Sequence, residues 1–264
     1  MSRELSSDAW HAAVARLVAS GSSEATAPAL IAAIGEVVDH QGTCMLAFHR
    51  DAPPEVVHHS LEPAGVRHYV DRYLAGPYLL DPLYQLAFSP DKPGVCRYRD
   101  ATPDRFHSSE YYRQYCERTH LGDEMDFLLD VGGDTTLVLV VARRKRRFTR
   151  AEVARLRRIE AIVHAAMQNT WEARRLLSLP PDGDRSLHRR LTECFENFGE
   201  AILTEREQQI TRLLLRGFST NAIARELDIA PGTVMVHKRN LFAKLGITSQ
   251  FELFSQFIEA LSAH

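Results

Sequence analysis

The sequence predicts an α+β protein in two parts: an N-terminal antiparallel sheet flanked by helices, followed by a small all-α domain of four helices. Three observations carry this. Between Thr43 and Arg143, five short apolar runs of strand length alternate with turn residues and are joined by short or helical connections. Longer segments of helical periodicity lie on both sides of them. From Thr204 onward, four shorter helices are marked off by their start and stop residues alone. The 264 residues, 45% hydrophobic and 25% charged, suffice for two domains with a sizeable core.

The elements follow in order. Ser7 to Ser20 reads as a helix with Trp10, Val14, Leu17 and Val18 inward, broken by Gly21-Ser22-Ser23. A second helix runs from Ala25 to Asp39 on Leu30, Ile34, Val37 and Val38. Thr43 to His49 is a strand, Asp51 to Pro54 its turn, and Glu55 to Ser60 the returning strand. Helices are expected over Pro63 to Leu74, Leu79 to Phe88 and Ser108 to His120, with Val95 to Arg99 as an edge strand. Glu124 to Val131 and Thr135 to Arg143 form a hairpin across Gly132-Gly133-Asp134. Thr149 caps a single long helix to Leu177, with Leu156, Ile159, Val163, Ala166 and Thr170 as its seam. Ser178 to Asp184 concentrates Pro, Gly and Asp and reads as the linker; a connecting helix, Leu187 to Phe198, follows. The domains are thus 1–177, a linking stretch 178–200, and 201–264.

In the last of these, Thr204 and Glu207 form a capping box, and Gly217 sits where a helix end takes a left-handed residue. Ser219 or Thr220 opens a second helix with Ile223, Ala224 and Leu227 inward. Asp228 to Ala230 turns, Pro231 fits the first turn of a third helix, and Gly246 ends it. Ser249 with Glu252 opens a fourth. Helix, short turn, helix is the plan in which the second member enters the DNA major groove. At about 100° per residue, Val234, Leu241 and Leu245 fall on the core side of the third helix. Val236, Arg239, Asn240 and Ala243 fall opposite, and Thr233, His237 and Lys244 share a flank suited to phosphates. Between Ile229 and Ile247 the cations Lys238, Arg239 and Lys244 meet no acid, which is the footprint of a nucleic-acid surface. The DNA-contacting set is therefore Thr233, Val236, His237, Lys238, Arg239, Asn240 and Lys244.

These residues resemble the C-terminal domain of LuxR-type (LuxR/FixJ) transcription regulators. The matching positions are Leu203-Thr204-x-Arg206-Glu207, Gly217, Ile223-Ala224, Leu227, Thr233-Val234, His237, Asn240 and Lys244-Leu245-Gly246. The resemblance implies a dimer that reads two half-sites of double-stranded DNA as an inverted repeat, with RNA polymerase a further partner. After Thr-Val the family often carries a lysine that reaches the bases; this sequence has Met235, which bears on base preference.

The order of elements before the linker resembles a GAF- or PAS-like sensor fold, the class that includes the autoinducer-binding domains of LuxR-type receptors. Within it, Tyr69-x-x-x-Tyr73 and then Asp81-Pro82 resemble the acyl-homoserine-lactone receptors, where a Trp and a Tyr four apart precede an Asp-Pro. Carried over, Asp81 accepts a hydrogen bond from the ligand and Tyr69 and Tyr73 hold its ring, with Tyr84 closing the segment. The Trp is absent from this run, and the spacing to Asp81 is shorter than in the family. An Asp-Pro is also a common turn opener. The sensed small molecule is thus left open, in a mostly apolar pocket against the segment Tyr69 to Tyr84.

Other classes fit less well. With a net charge of −2, DNA affinity has to come from local patches. Cys44, Cys96, Cys116 and Cys194 form no metal motif or disulfide framework, and adjacent His58 and His59 point to opposite faces of a strand. No phosphate loop, metal-protease motif or nucleophile elbow is present, so neither enzyme, cofactor nor metal is expected. Gly132-Gly133-Asp134 resembles the loop of diguanylate cyclases, but Thr135-Thr136 follows where a carboxylate is needed. A receiver domain is excluded by the helical start and the hairpins. A protein-interaction module or a degenerate enzyme in place of a sensor is the remaining alternative. The four unpaired cysteines fit a reducing compartment, the N-terminus reads as lacking an apolar leader and no segment has the length and hydropathy of a membrane span, so a cytoplasmic protein is expected. Arg143 to Arg158 is the densest basic run and reads as a solvated hairpin end and helix start. The fourth C-terminal helix carries Phe251, Leu253, Phe254, Phe257, Ile258 and Leu261 over more of its circumference than one stripe requires, which predicts a homodimer; Ile162, Met167 and Trp171 offer a second surface.

Overall fold

A computed structural model describes residues 4–61, 70–113, 123–144, 146–177 and 185–262. In chain order its elements begin with α1 (Asp8–Ser20), α2 (Thr26–Val37), β1 (Gly42–His49), β2 (Glu55–His59) and α3 (Asp71–Leu74). A 3₁₀ turn (Pro77–Leu80), α4 (Pro82–Ala87), β3 (Val95–Arg97), α5 (Tyr98–Ala101) and a second 3₁₀ turn (Phe106–Ser108) follow. Then come β4 (Asp123–Asp130), β5 (Thr135–Arg143), α6 (Arg150–Arg158), α7 (Glu160–Leu177) and α8 (Arg185–Asn197). The last four helices are α9 (Glu205–Leu215), α10 (Thr220–Glu226), α11 (Pro231–Leu245) and α12 (Gln250–Ser262). The fold is α+β, with five antiparallel strands followed by a helical C-terminal part.

The chain divides into two compact units. One comprises Met1–Val66, Leu86–Ala101 and Leu121–Gly183; the other Arg67–Gln85, Thr102–His120 and Asp184–His264. The first unit holds the sheet, in the order β2-β1-β5-β4-β3, with β3 on the edge as its Val-Cys-Arg shortness predicts. Strand alternation brings Met45, Ala47, Met125, Phe127, Leu137, Leu139 and Val141 to one face. There they pack with Leu30 and Ile34 of α2 and Leu156 and Val163 of α6 and α7 into the core.

Three expectations need correction in this unit. The single helix from Thr149 is two: the capping box of Thr149 and Glu152 starts α6, but the Ile159 N–H turns back to Leu156 O and interrupts the run before α7. Met167 is fully buried and Trp171 packs on the core, so of the second dimer surface only Ile162 stays exposed. Arg143 is not solvated. It is 1% exposed, paired with Glu152 at 3.0 Å, donates to Asp39 O, and lies over the Phe148 ring at 4.1 Å. Burial pushes the Glu152 carboxyl up, but bonds from Arg143 and the Thr149 amide hold it down at about 2.

The expected Leu79–Phe88 helix is split. Pro82 forces the residue before it out of the helical region, so Asp81 is extended (ψ 122°) between the 3₁₀ turn and α4. The helix expected over Ser108–His120 falls largely outside the described residues, as do most of Pro63–Leu74 and the linker Ser178–Asp184.

The apolar excess of α12 is mostly taken up within the chain. Leu253, Phe254, Phe257 and Leu261 are buried, and Phe195 of α8 and Phe198 meet the Phe257 ring edge-on at 5.6 and 5.5 Å. Phe251 remains 55% exposed.

Candidate nucleic-acid interface and buried tyrosine cluster

Local capping builds the C-terminal face. The Thr204 hydroxyl and the Glu207 carboxylate exchange bonds with each other's backbone N–H to start α9. Gly217 follows with φ +90°, and a Cβ there would lie 3.1 Å from Phe106 Cα, so the site needs glycine twice over. The Ser219 hydroxyl accepts from Ala222 N–H and starts α10. Asp228 at φ 50° makes the turn, Pro231 opens α11, and left-handed Gly246 closes it. Fully buried Ile223, Val234 and Leu241 lock the two helices as a helix-turn-helix.

On α11 the face opposite this core is exposed without interruption: Gly232, Met235, Val236, Arg239, Asn240 and Ala243, at the spacing of one helical stripe. Thr233 beside it is exposed and His237 half-buried. The three cations differ sharply. Arg239 is exposed and has no ion-pair partner among the described residues. The Lys244 ammonium donates to Glu207 Oε2 at 2.7 Å. Burial pushes the Glu207 carboxyl up, but Lys244 and the Thr204 amide and hydroxyl hold it below its ordinary value. Lys238 lies 5.3 Å from the Phe242 ring centre, and burial, then Arg105, push its ammonium down. Sequence reasoning left Met235 and Gly232 out of the set, although the 100° count puts both beside Arg239.

A contact invisible to local pattern lies at the start of α10. The Asp104 carboxylate accepts both the Ser219 N–H (3.0 Å) and hydroxyl (2.5 Å) at the start of α10. Burial raises its pKa, but these two bonds bring it below the ordinary aspartate value.

The second predicted set is a buried cluster. Asp81 is 6% exposed; its Oδ1 accepts Leu83 N–H at 2.9 Å, capping α4, and its Oδ2 accepts the Tyr73 hydroxyl at 2.8 Å. Burial, then the Asp81 charge, push the Tyr73 hydroxyl pKa well up, so it remains a donor. Tyr84 lies edge-on to Tyr78 at 5.2 Å. The Tyr78 hydroxyl pairs with His188 Nδ1 of α8 at 2.7 Å, their rings stacked at 12°. A ligand donor at Asp81 would have to share or displace the Tyr73 hydroxyl. Tyr69 lies outside the described residues. Among the described residues no group of three or more His, Cys, Asp or Glu is placed to hold a metal ion, and no helix is long and apolar enough to cross a membrane.

A helix-turn-helix with an exposed, acid-free outer face defines a DNA-binding transcription regulator. Comparison with known proteins gives the family. Residues 201–256 match the GerE model, bacterial regulatory proteins of the luxR family. Over 158 residues the chain is 34% identical to an HTH-type transcriptional regulator from the exeN 3′ region of Aeromonas salmonicida, covering 58% of this chain and 80% of that one. It is 44% identical over 54 residues to the HTH-type transcriptional regulator MalT of Yersinia pestis, covering 20% of this chain and 6% of MalT. The VqsR LBD domain from Pseudomonas aeruginosa shares the fold at a TM-score of 0.56 and 23% identity, over 63% of this chain and 99% of that domain. The chain belongs to the LuxR family of bacterial regulators.

Proposed function

We propose that this regulator is ligand-responsive: residues 1–177 sense a small molecule, 178–200 link, and 201–264 read an inverted-repeat DNA site as a homodimer in the cytoplasm, without enzymatic activity. The uninterrupted exposed stripe of α11 is the observation that carries the DNA half. Arg239 reads a base edge, most often guanine, at about 1–3 kcal/mol of discrimination. His237 and Lys244 contact phosphates, Lys244 exchanging the Glu207 carboxylate for one. Thr233, Val236, Lys238 and Asn240 complete the contact set. RNA polymerase is the partner through which a bound dimer would act.

The sensing half draws support from the fold shared with a domain described as an LBD and from the Tyr73, Asp81 and Tyr84 cluster, with Tyr69 preceding it. The ligand presents a donor to Asp81 in place of the Tyr73 hydroxyl; an acyl-homoserine lactone is one molecule with such a donor.

Duplexes selected from a random library by the full-length protein test the DNA half. Arg239→Ala should change the selected sequence, whereas Lys244→Ala should weaken all duplexes alike and flatten the salt dependence. Uniform weakening by both variants would refute the assigned roles. Mass spectrometry of organic extracts of the purified protein tests the sensing half. A bound molecule lost from Asp81→Asn is expected; an empty protein with no thermal shift toward lactones or cell extracts would count against it.

A further inference from the structure

We infer that Met235 and Val236 read thymine methyl groups, so that base recognition by this regulator is substantially apolar; this rests on the DNA-binding reading of α11. Three observations converge. Met235 is 63% exposed and Val236 47% exposed, adjacent large apolar side chains on a helix that buries Val234 and Leu241 completely. Both keep about half or more of their surface in solvent, so the fold gains less from their apolar character than it does from Val234 and Leu241. They share one stripe with Arg239 and Asn240, since 235 and 239, and 236 and 240, are one turn apart. Of the three cations on α11, Lys244 is held by Glu207 and Lys238 is half-buried against Phe242, which leaves Arg239 as the cation of the stripe. A groove-facing surface with one charge and two apolar side chains is complementary to a floor that offers methyl groups as well as acceptors. In the major groove only thymine presents a methyl. The site should therefore place thymine under Met235 and Val236, next to the base pair read by Arg239.

The experiment uses the full-length protein and the best duplex selected from a random library. Each thymine in turn is replaced by deoxyuridine, which removes the methyl and leaves every hydrogen-bonding group in place. At one or two positions affinity should fall about fourfold, as for one methyl taken out of water. The penalty should vanish in Met235→Ala or Val236→Ala, each of which should unfold at the wild-type temperature because the site is exposed. Reselection with Met235→Lys should replace thymine by guanine at that step. Sequence-specific binding indifferent to every deoxyuridine substitution would overturn this inference and leave the DNA reading standing. A changed oligomeric state in Met235→Ala with unchanged base preference would assign the stripe to a second copy of the chain and equally overturn it. Failure to select any sequence would remove the DNA reading itself, and the inference with it.

Discussion

On α11, Arg239, Asn240 and Thr233 point outward and the fold takes little from them; between Tyr73 and His188, polar groups are buried and bonded to one another. Both regions were expected to be binding sites, and both carry suitable chemistry. They differ in what the fold needs from it. Asp81 supplies a helix cap and an acceptor for a buried phenol, and the Tyr78 hydroxyl and His188 complete each other. Burial makes each of these bonds costly to lose. Residues that the fold leaves unused are the stronger pointers to a partner, because nothing else accounts for them.

The contrast can be broken by substitution. Asp81→Ala should show the largest effect. It removes the cap of α4 and leaves the Tyr73 hydroxyl buried without its acceptor, for a loss of about 2–4 kcal/mol in denaturant unfolding. An Asp81→Ala protein as stable as wild type would mean that the cluster is not structural and that the two regions are alike. Arg239→Ala should do the reverse: stability within about 0.5 kcal/mol of wild type, and about 1–3 kcal/mol of base discrimination lost. A marked fall in melting temperature would make Arg239 part of the fold.

How legible each region was in the sequence follows from the range of the interactions. Helix starts at Thr204, Ser219 and Pro231 rest on bonds within three or four residues and were placed to within a residue or two. The strands themselves were legible as short apolar runs bounded by turn residues, although their pairing joins residues as far apart as Cys44 and Val140. Asp104 and Ser219 are 115 residues apart, and no local signal announces their pairing or the grouping of residues 67–85 and 102–120 with the C-terminal helices. The apolar excess of α12 was legible, but periodicity does not say whether a second chain or Phe195 covers Phe257. The break at Ile159 leaves no mark because no proline or glycine causes it.

Glu207 joins the outward face to the fold, and acid sharpens its role. Its folded pKa lies below the ordinary 4.5, so its contribution to stability is fully present above that value and is lost as pH falls through the folded pKa. With Lys244 38% exposed, the pair contributes about 0.5–1 kcal/mol after screening. Glu207→Gln should therefore flatten the stability profile below pH 4.5, the ordinary value, by that amount. An unchanged acid limb would show that the carboxylate is not held by these bonds.

Gly232 should give the smallest effect and the cleanest separation of the two kinds of residue. It sits in the first turn of α11 on the exposed stripe, its φ is not positive, and a Cβ built there meets nothing within 4 Å. The fold thus has no use for glycine at this position, and glycine costs conformational entropy on folding. Gly232→Ala should stabilise the protein by about 0.4–1 kcal/mol. The first turn of a recognition helix is also where base edges come closest. The added methyl should then weaken binding to a selected duplex even as the melting temperature rises, a pairing of signs that no structural defect can produce. Raised stability with unchanged affinity would show that the start of α11 stands clear of the groove, and would move the contact toward Arg239 and Ala243.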